Sequence, residues 1–261
     1  MTNLIRAELQ KLFTTRLWWA MALVMFAFTA FGLAFLIAQA GAAPANGQPG
    51  LPALDDPAWL PLALSFASGA NIFTMILGIV LMTSEYRYQT ITGTFLTTPR
   101  RGRVIAAKLG AGVIIGVFFA VISLLFTGVI AITAVLIGGG SVDLTGGRIP
   151  QLTLGVFATL VLYALFGIGL GALVRNQVAA LIGGIVWAYV IESILGAFPA
   201  LQTVGKWLPG GAAQALMNID FDTGLGQSNL LPAWGGALVL VAYALLFAVV
   251  ANLTTTRRDI T

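Results

Sequence analysis

The sequence contains no cysteine and no histidine. The first absence excludes a disulfide framework and thiol chemistry. The second removes the commonest metal ligand and the commonest general base. Charge is scarce as well. Asp, Glu, Lys and Arg make up 8% of the 261 residues, against about 25% in an average soluble domain. So few charges cannot clothe a soluble fold of this length. Nucleotide and catalytic motifs are missing too. The only Gly-Lys pair, Gly205-Lys206, is followed by Trp207 where a P-loop needs Ser or Thr. There is no HExxH, no paired-cysteine spacing and no GxSxG elbow. No catalytic, metal or cofactor site is expected in this chain. A basic stripe with interleaved aromatics is also lacking, so no nucleic-acid partner is expected.

What the sequence does have is apolar length. Hydrophobic residues make up 59% of it, and mean hydropathy is +0.96. The class expected is an all-α polytopic membrane protein, one transmembrane domain over residues 1–261. Residues 1–16 read as an amphipathic helix lying at the membrane interface. Ile5, Leu9, Leu12 and Phe13 share one face at helical spacing, while Arg6, Gln10 and Lys11 fall elsewhere. Six spans follow, at roughly 17–40, 61–83, 104–137, 151–174, 178–198 and 232–253. Small residues mark their packing faces: Ala30, Ala34 and Ala38, then Gly112 and Gly116, then Gly167, Gly169 and Gly171. Asn71 in the second span is expected to bond a neighbouring helix. Residues 199–231 are long for a connection. Within them, 206–219 are too apolar for a free loop and too short to cross, and read as a re-entrant hairpin before the last span.

Six spans place both termini on one side. With that side inside, Arg6, Lys11, Arg16, Arg87, Arg100, Arg101, Arg103, Lys108, Arg175, Arg257 and Arg258 all lie at cytoplasmic ends. Only Arg148 and Lys206 lie outside, together with Asp55, Asp56, Asp143, Asp220 and Asp222. This asymmetry predicts cytoplasmic N and C termini in a multi-pass protein of the plasma membrane. Glu192, toward the outer third of the fifth span, is the one candidate for a buried ionisable group within the spans. It stands as a possible membrane-embedded functional acid. An ion-coupled secondary transporter would rest on it, and a lipid-modifying enzyme would need more polar groups than the spans offer.

The most informative polar stretch is SEYRYQTITGTFLTTPRRGRVIAAK, residues 84–108. It carries Arg87, Arg100, Arg101, Arg103 and Lys108 against the single acid Glu85. An acid and a base after the second span lead into Thr90-Ile91, Leu96, Pro99 and the arginines, with Lys108 opening the third span. Together with the order of spans and the segment LPGGAAQAL (208–216), this resembles the permease subunits of type-2 ABC exporters over nearly the whole chain. Gln89 departs from the glycine or asparagine common at its place.

The resemblance implies an ATP-driven exporter in which this chain forms the translocation path. It implies two copies of a separate ABC ATP-binding subunit, which hold the ATP and magnesium, and a second permease copy in a homodimer or heterodimer. It implies that the cytoplasmic loop 84–103 forms a coupling helix docked on the ATPase, contacted also by the N-terminal helix. Glu85, Arg87, Thr90, Pro99, Arg100, Arg103 and Lys108 carry that coupling role in this reading, with Arg6, Leu9, Lys11 and Phe13 on the interfacial helix. Glu85 and Arg87 are two residues apart and do not face each other on a helix. Each is expected to pair with another element. The low charge of the spans points to a lipid or hydrophobic drug as cargo.

Overall fold

In lipid, a backbone must satisfy its own polar groups, and a helix does so within one segment. The computed structural model describes residues 1–43, 50–90, 101–198, 202–217 and 230–256. Among these residues it is built of helices, with no strand. The N-terminal helix α1 (Thr2–Phe13) precedes α2 (Leu17–Ala38). Then come α3 (Trp59–Ser65), a 3-10 turn (Phe66–Ala70) and α4 (Asn71–Arg87). The helices α5 (Arg101–Ile137) and α6 (Ile149–Val174) follow. After them are α7 (Gln177–Val186), a π-helical turn (Trp187–Ile191) and α8 (Glu192–Ala197). The short α9 (Gln202–Gly205), α10 (Pro209–Met217) and α11 (Ala233–Thr256) complete the order.

Among the described residues, five helical segments are long and apolar enough to cross a membrane: Leu17–Ala38, Trp59–Arg87, Gly102–Ile137, Ile149–Val174 and Gln177–Leu195. The sixth expected span falls on α11, whose described apolar part is Ala233–Phe247. The second span differs from the uninterrupted helix expected over 61–83. It starts at Trp59, tightens at Phe66–Ala70 and runs on to Arg87. The tightening occurs where small residues crowd the sequence FASGA. A carbonyl there is satisfied from outside: the Ser123 hydroxyl of α5 donates to the Ala67 carbonyl oxygen at 3.0 Å. The extension to Arg87 carries Glu85 in helical geometry beyond the apolar run.

Helix α5 has 37 residues. At 1.5 Å per residue it is about 55 Å long, well beyond the ~30 Å hydrocarbon core. A helix of that length crosses the layer at a tilt or extends beyond it.

The centre of the bundle is the α4–α6 pair. The most apolar stretches of the second span and of α6 are 67% and 61% buried, against 11% for Gln177–Leu195. Apolar side chains gain little from leaving lipid, so close backbone approach has to hold such a pair. Glycines permit it. A methyl group on Gly167 would strike the Met75 carbonyl, and one on Gly171 would come within 3.0 Å of the Ile79 carbonyl oxygen. Reciprocally, Gly78 of α4 lies against the Ala164 carbonyl. On α5, Gly116 meets the Val161 backbone, 2.6 Å from where a Cβ would sit. The expected glycine faces of α5 and α6 are packing faces.

The same device seats α10. Gly155 of α6 abuts the Leu216 backbone, and Gly236 of α11 abuts the Ala212 carbonyl. The segment expected as a hairpin helix is thus wedged between α6 and α11. Between α6 and α7, Arg175 takes the left-handed conformation at φ +56°, and the Asn176 side chain accepts from the Ala179 N–H at 3.1 Å. This turns the chain within three residues.

Candidate functional site

Helix α1 shows its inward face directly. Leu12 is buried, and Ile5 and Leu9 pack against the core. Arg6 is exposed. Phe13 stacks edge-on to Trp18 and Phe118, with ring centroids 5.3 and 6.2 Å away. One inward residue is not apolar. Glu8 lies one helical turn before Leu12, and only 5% of it is exposed.

Glu8 belongs to a group of four charges. From α1 come Glu8 and Lys11, from the end of α4 Glu85, and from the start of α5 Lys108. Lys11 Nζ donates to Glu8 Oε1 and to Glu85 Oε1, both at 2.7 Å. Lys108 Nζ donates to Glu8 Oε2 at 2.7 Å and to the Leu81 carbonyl oxygen at 3.1 Å. It also stands 3.5 Å from Glu85 Oε1. Two acids and two bases alternate around a closed ring. The side chains of Glu8, Glu85 and Lys108 are 6%, 4% and 1% exposed, whereas Lys11 is 49% exposed and seals the ring against solvent.

The electrostatics follow from this arrangement. Burial works against the charge on Lys11, but its hydrogen bonds to Glu8 and Glu85 and their attraction outweigh it, so its ammonium is held above the ordinary value. Lys108 is fully desolvated yet has two carboxylates and a carbonyl on its three donor hydrogens. Such a cluster is tolerated in a low-dielectric interior because every charge is paired and hydrogen-bonded. Removing one member leaves an uncompensated buried charge, which costs about 3–5 kcal/mol. The ring therefore fastens α1 to the two helices that flank residues 91–100.

Other residues singled out in the sequence lie around this ring. Arg87 is exposed, its guanidinium 5.7 Å from the centroid of the Tyr88 ring. Thr90 and Arg103 are also exposed. Pro99 and Arg100 lie outside the described residues. Gln89 adopts φ +55°, a left-handed conformation that favours glycine or asparagine. That gives a physical reason for the residues common at this place. A cleft of about 600 Å³ opens beside the ring, lined by Glu8, Lys11, Ser84, Glu85, Arg87 and Thr90 among others. Lys108, expected at the opening of the third span, is buried inside the bundle. Glu8 went unselected in the sequence. Its signal was spacing: it shares the face of Ile5 and Leu12, an acid where the periodicity calls for an apolar residue.

Glu192 lies toward the opposite end, directly after the π-helical turn. Its Oε2 accepts the Gly210 N–H of α10 at 2.7 Å. The Trp187 side chain also bonds this carboxylate. Asn71 pairs with Tyr163 of α6, an interhelical bond.

Against known proteins, the family model described as ABC-2 family transporter protein matches residues 4–192. The matched stretch holds all four members of the charge ring. No curated protein matches the chain. The match covers more than half of the sequence, and with its apolar helices the chain is a membrane-embedded permease that belongs to the ABC-2 transporter family, a membership that implies association with an ABC ATP-binding subunit.

Proposed function

We propose that this chain is the permease half of an ATP-driven exporter, coupled to its ATPase through the segment between α4 and α5. In this reading α11 is the sixth span, α10 is the outer re-entrant hairpin, and both termini are cytoplasmic in the plasma membrane. Two ATP-binding subunits carry the ATP and magnesium. Two permease copies enclose the path, and the cargo is a lipid or hydrophobic drug.

The observation that carries the proposal is the closed ring of Glu8, Lys11, Glu85 and Lys108. A loop transmits force only if its flanking helices cannot slip past each other. Here α1, α4 and α5 are joined by buried ion pairs, so a push on the loop moves three helices as one body. The exposed Arg87, Thr90 and Arg103 are left at the surface beside the loop for charge-assisted contacts with the ATPase.

The test is purification from the native membrane in mild detergent, followed by mass spectrometry, ATPase and transport assays. A P-loop ATPase in stoichiometric amount is expected. Pro99→Ala and Arg103→Ala are expected to leave membrane insertion intact and to reduce transport per ATP hydrolysed. A chain that purifies with no ATPase, or wild-type transport in both variants, overturns the reading.

A further inference from the structure

The carboxylate of Glu192 is only half satisfied. Oε2 takes the Gly210 N–H, whereas Oε1 is buried with no hydrogen-bond partner. Among the described residues no Lys or Arg pairs with it, in contrast to the four charges of the ring. A bare negative charge within a span is costly, and the carboxylate is relieved of that cost either by a proton or by a cationic partner. No cationic partner is supplied by the described helices around it.

What the helices supply is aromatic. Tyr163 and Phe166 of α6 and Tyr243 and Phe247 of α11 form one continuous cluster, with ring centroids 5.5 to 6.0 Å apart. Glu192 lies close enough to act electrostatically on the hydroxyls of Tyr163 and Tyr243. The Trp187 side chain reaches its carboxylate from one turn before. The π-helical turn Trp187–Ile191 sits immediately before Glu192. Such turns alter the register of the side chains that follow, and they recur at functional sites.

The chemistry selects the ligand. A hard inorganic cation asks for several oxygen donors around it. Among the described residues, no three Asp, Glu, His or Cys side chains converge anywhere. One carboxylate beside an aromatic cluster suits a large cation of spread charge, which gains from cation–π contact as well as from the counter-charge. The span that bears Glu192 is the least buried of the five, so an amphiphile has a lateral approach from the bilayer.

We propose that Glu192, with the rings of Trp187, Tyr163 and Tyr243, forms a binding site for a lipophilic organic cation, and that such cations are the cargo class of this permease. The word cargo rests on the exporter reading; the binding site does not.

The probe is tetraphenylphosphonium, measured by equilibrium dialysis against the purified chain in phosphatidylcholine nanodiscs, with empty nanodiscs subtracted. Saturable binding is expected for the wild type. Glu192→Gln keeps an oxygen for the Gly210 N–H and removes only the charge, and is expected to weaken binding by about tenfold or more. Tetraphenylborate, of the same shape and opposite charge, is expected to show no saturable binding. Tyr243→Leu leaves the carboxylate in place and is expected to weaken phosphonium binding several-fold. Equal phosphonium binding by wild type and Glu192→Gln overturns the proposal. So does the absence of saturable binding, or displacement of the phosphonium by millimolar sodium or calcium. No ATPase takes part, so a failure here leaves the exporter reading standing, and success does not depend on it.

Discussion

The two ends of this bundle treat buried charge in opposite ways. At the α1 end, Glu8 and Glu85 face Lys11 and Lys108, and each charge meets its opposite within 2.7 Å. At the other, Glu192 meets the Gly210 N–H and the Trp187 side chain, has no basic partner among the described residues, and keeps Oε1 without a hydrogen bond. In the ring each carboxylate is matched by an ammonium, and the pairs join three helices. A half-satisfied acid fixes α10 with one oxygen and leaves the other available. The difference separates a part that locks helices together from a part that leaves an acid without a counter-charge.

The largest effect should come from opening the ring. Lys108→Met leaves two buried carboxylates with Lys11 alone, and a loss of about 3–5 kcal/mol is expected. Monodisperse folded protein should largely vanish on size exclusion. The charge-balanced pair Glu8→Gln with Lys108→Met keeps the Lys11–Glu85 bond and should recover much of the yield. No recovery would show that Lys108 acts through shape rather than charge. Next is the α4–α6 seam, which has no charge to lose. Gly167→Val forces the two backbones apart and should cost about 1–3 kcal/mol by overpacking, read as a lower midpoint in thermal unfolding. An unchanged midpoint would mean the seam can yield, against the glycine-contact account.

At the Glu192 end, Glu192→Ala removes the acceptor at the start of α10 and should cost about 0.5–2 kcal/mol. The loss should be local: faster amide exchange in Pro209–Met217, with α1 unaffected. Exchange that rises equally in α1 would erase the distinction between the two ends. Gln89→Gly relieves the left-handed residue after α4 and should stabilise by about 0.5–1 kcal/mol. The smallest effect concerns pH. Lys11 is raised in the fold, so its contribution is fully present below the ordinary lysine value of 10.5 and fades as pH climbs through the folded value. Lys11→Arg should extend the alkaline limit of α1 protection in hydrogen exchange. Half-exposure of Lys11 keeps this contribution modest.

Much of the architecture was legible because lipid imposes a coarse code. Long apolar runs announce the helices, and glycine spacing announces the packing faces of α5 and α6. The amphipathic face of α1 was read from Ile5, Leu9 and Leu12. Three features escaped for physical reasons. The 3-10 turn at Phe66–Ala70 and the π-helical turn at Trp187–Ile191 lie inside continuous apolar runs, where hydropathy has no feature to show a change of winding. Glu8 escaped because an acid on a short amphipathic helix reads as surface until its partners are known. Its distant partner, Lys108, lies 100 residues further along the chain, in α5. Glu85 was selected because it was the lone acid in a basic loop, but its bond to Lys11 needed the fold.

The ring also sets an order of events during synthesis. Glu8 and Lys108 are 100 residues apart in sequence. At cellular elongation rates, roughly 5–20 s separate their appearance. Over that interval α1 has its acid and its base but no one to close the ring with. It has to wait at the membrane surface while α2 to α5 are inserted. Closure then reports that the first three spans have reached their places, so the ring is an assembly checkpoint as well as a weld. A nascent chain stalled before Lys108 should hold α1 loosely, and one released after it should hold α1 fast.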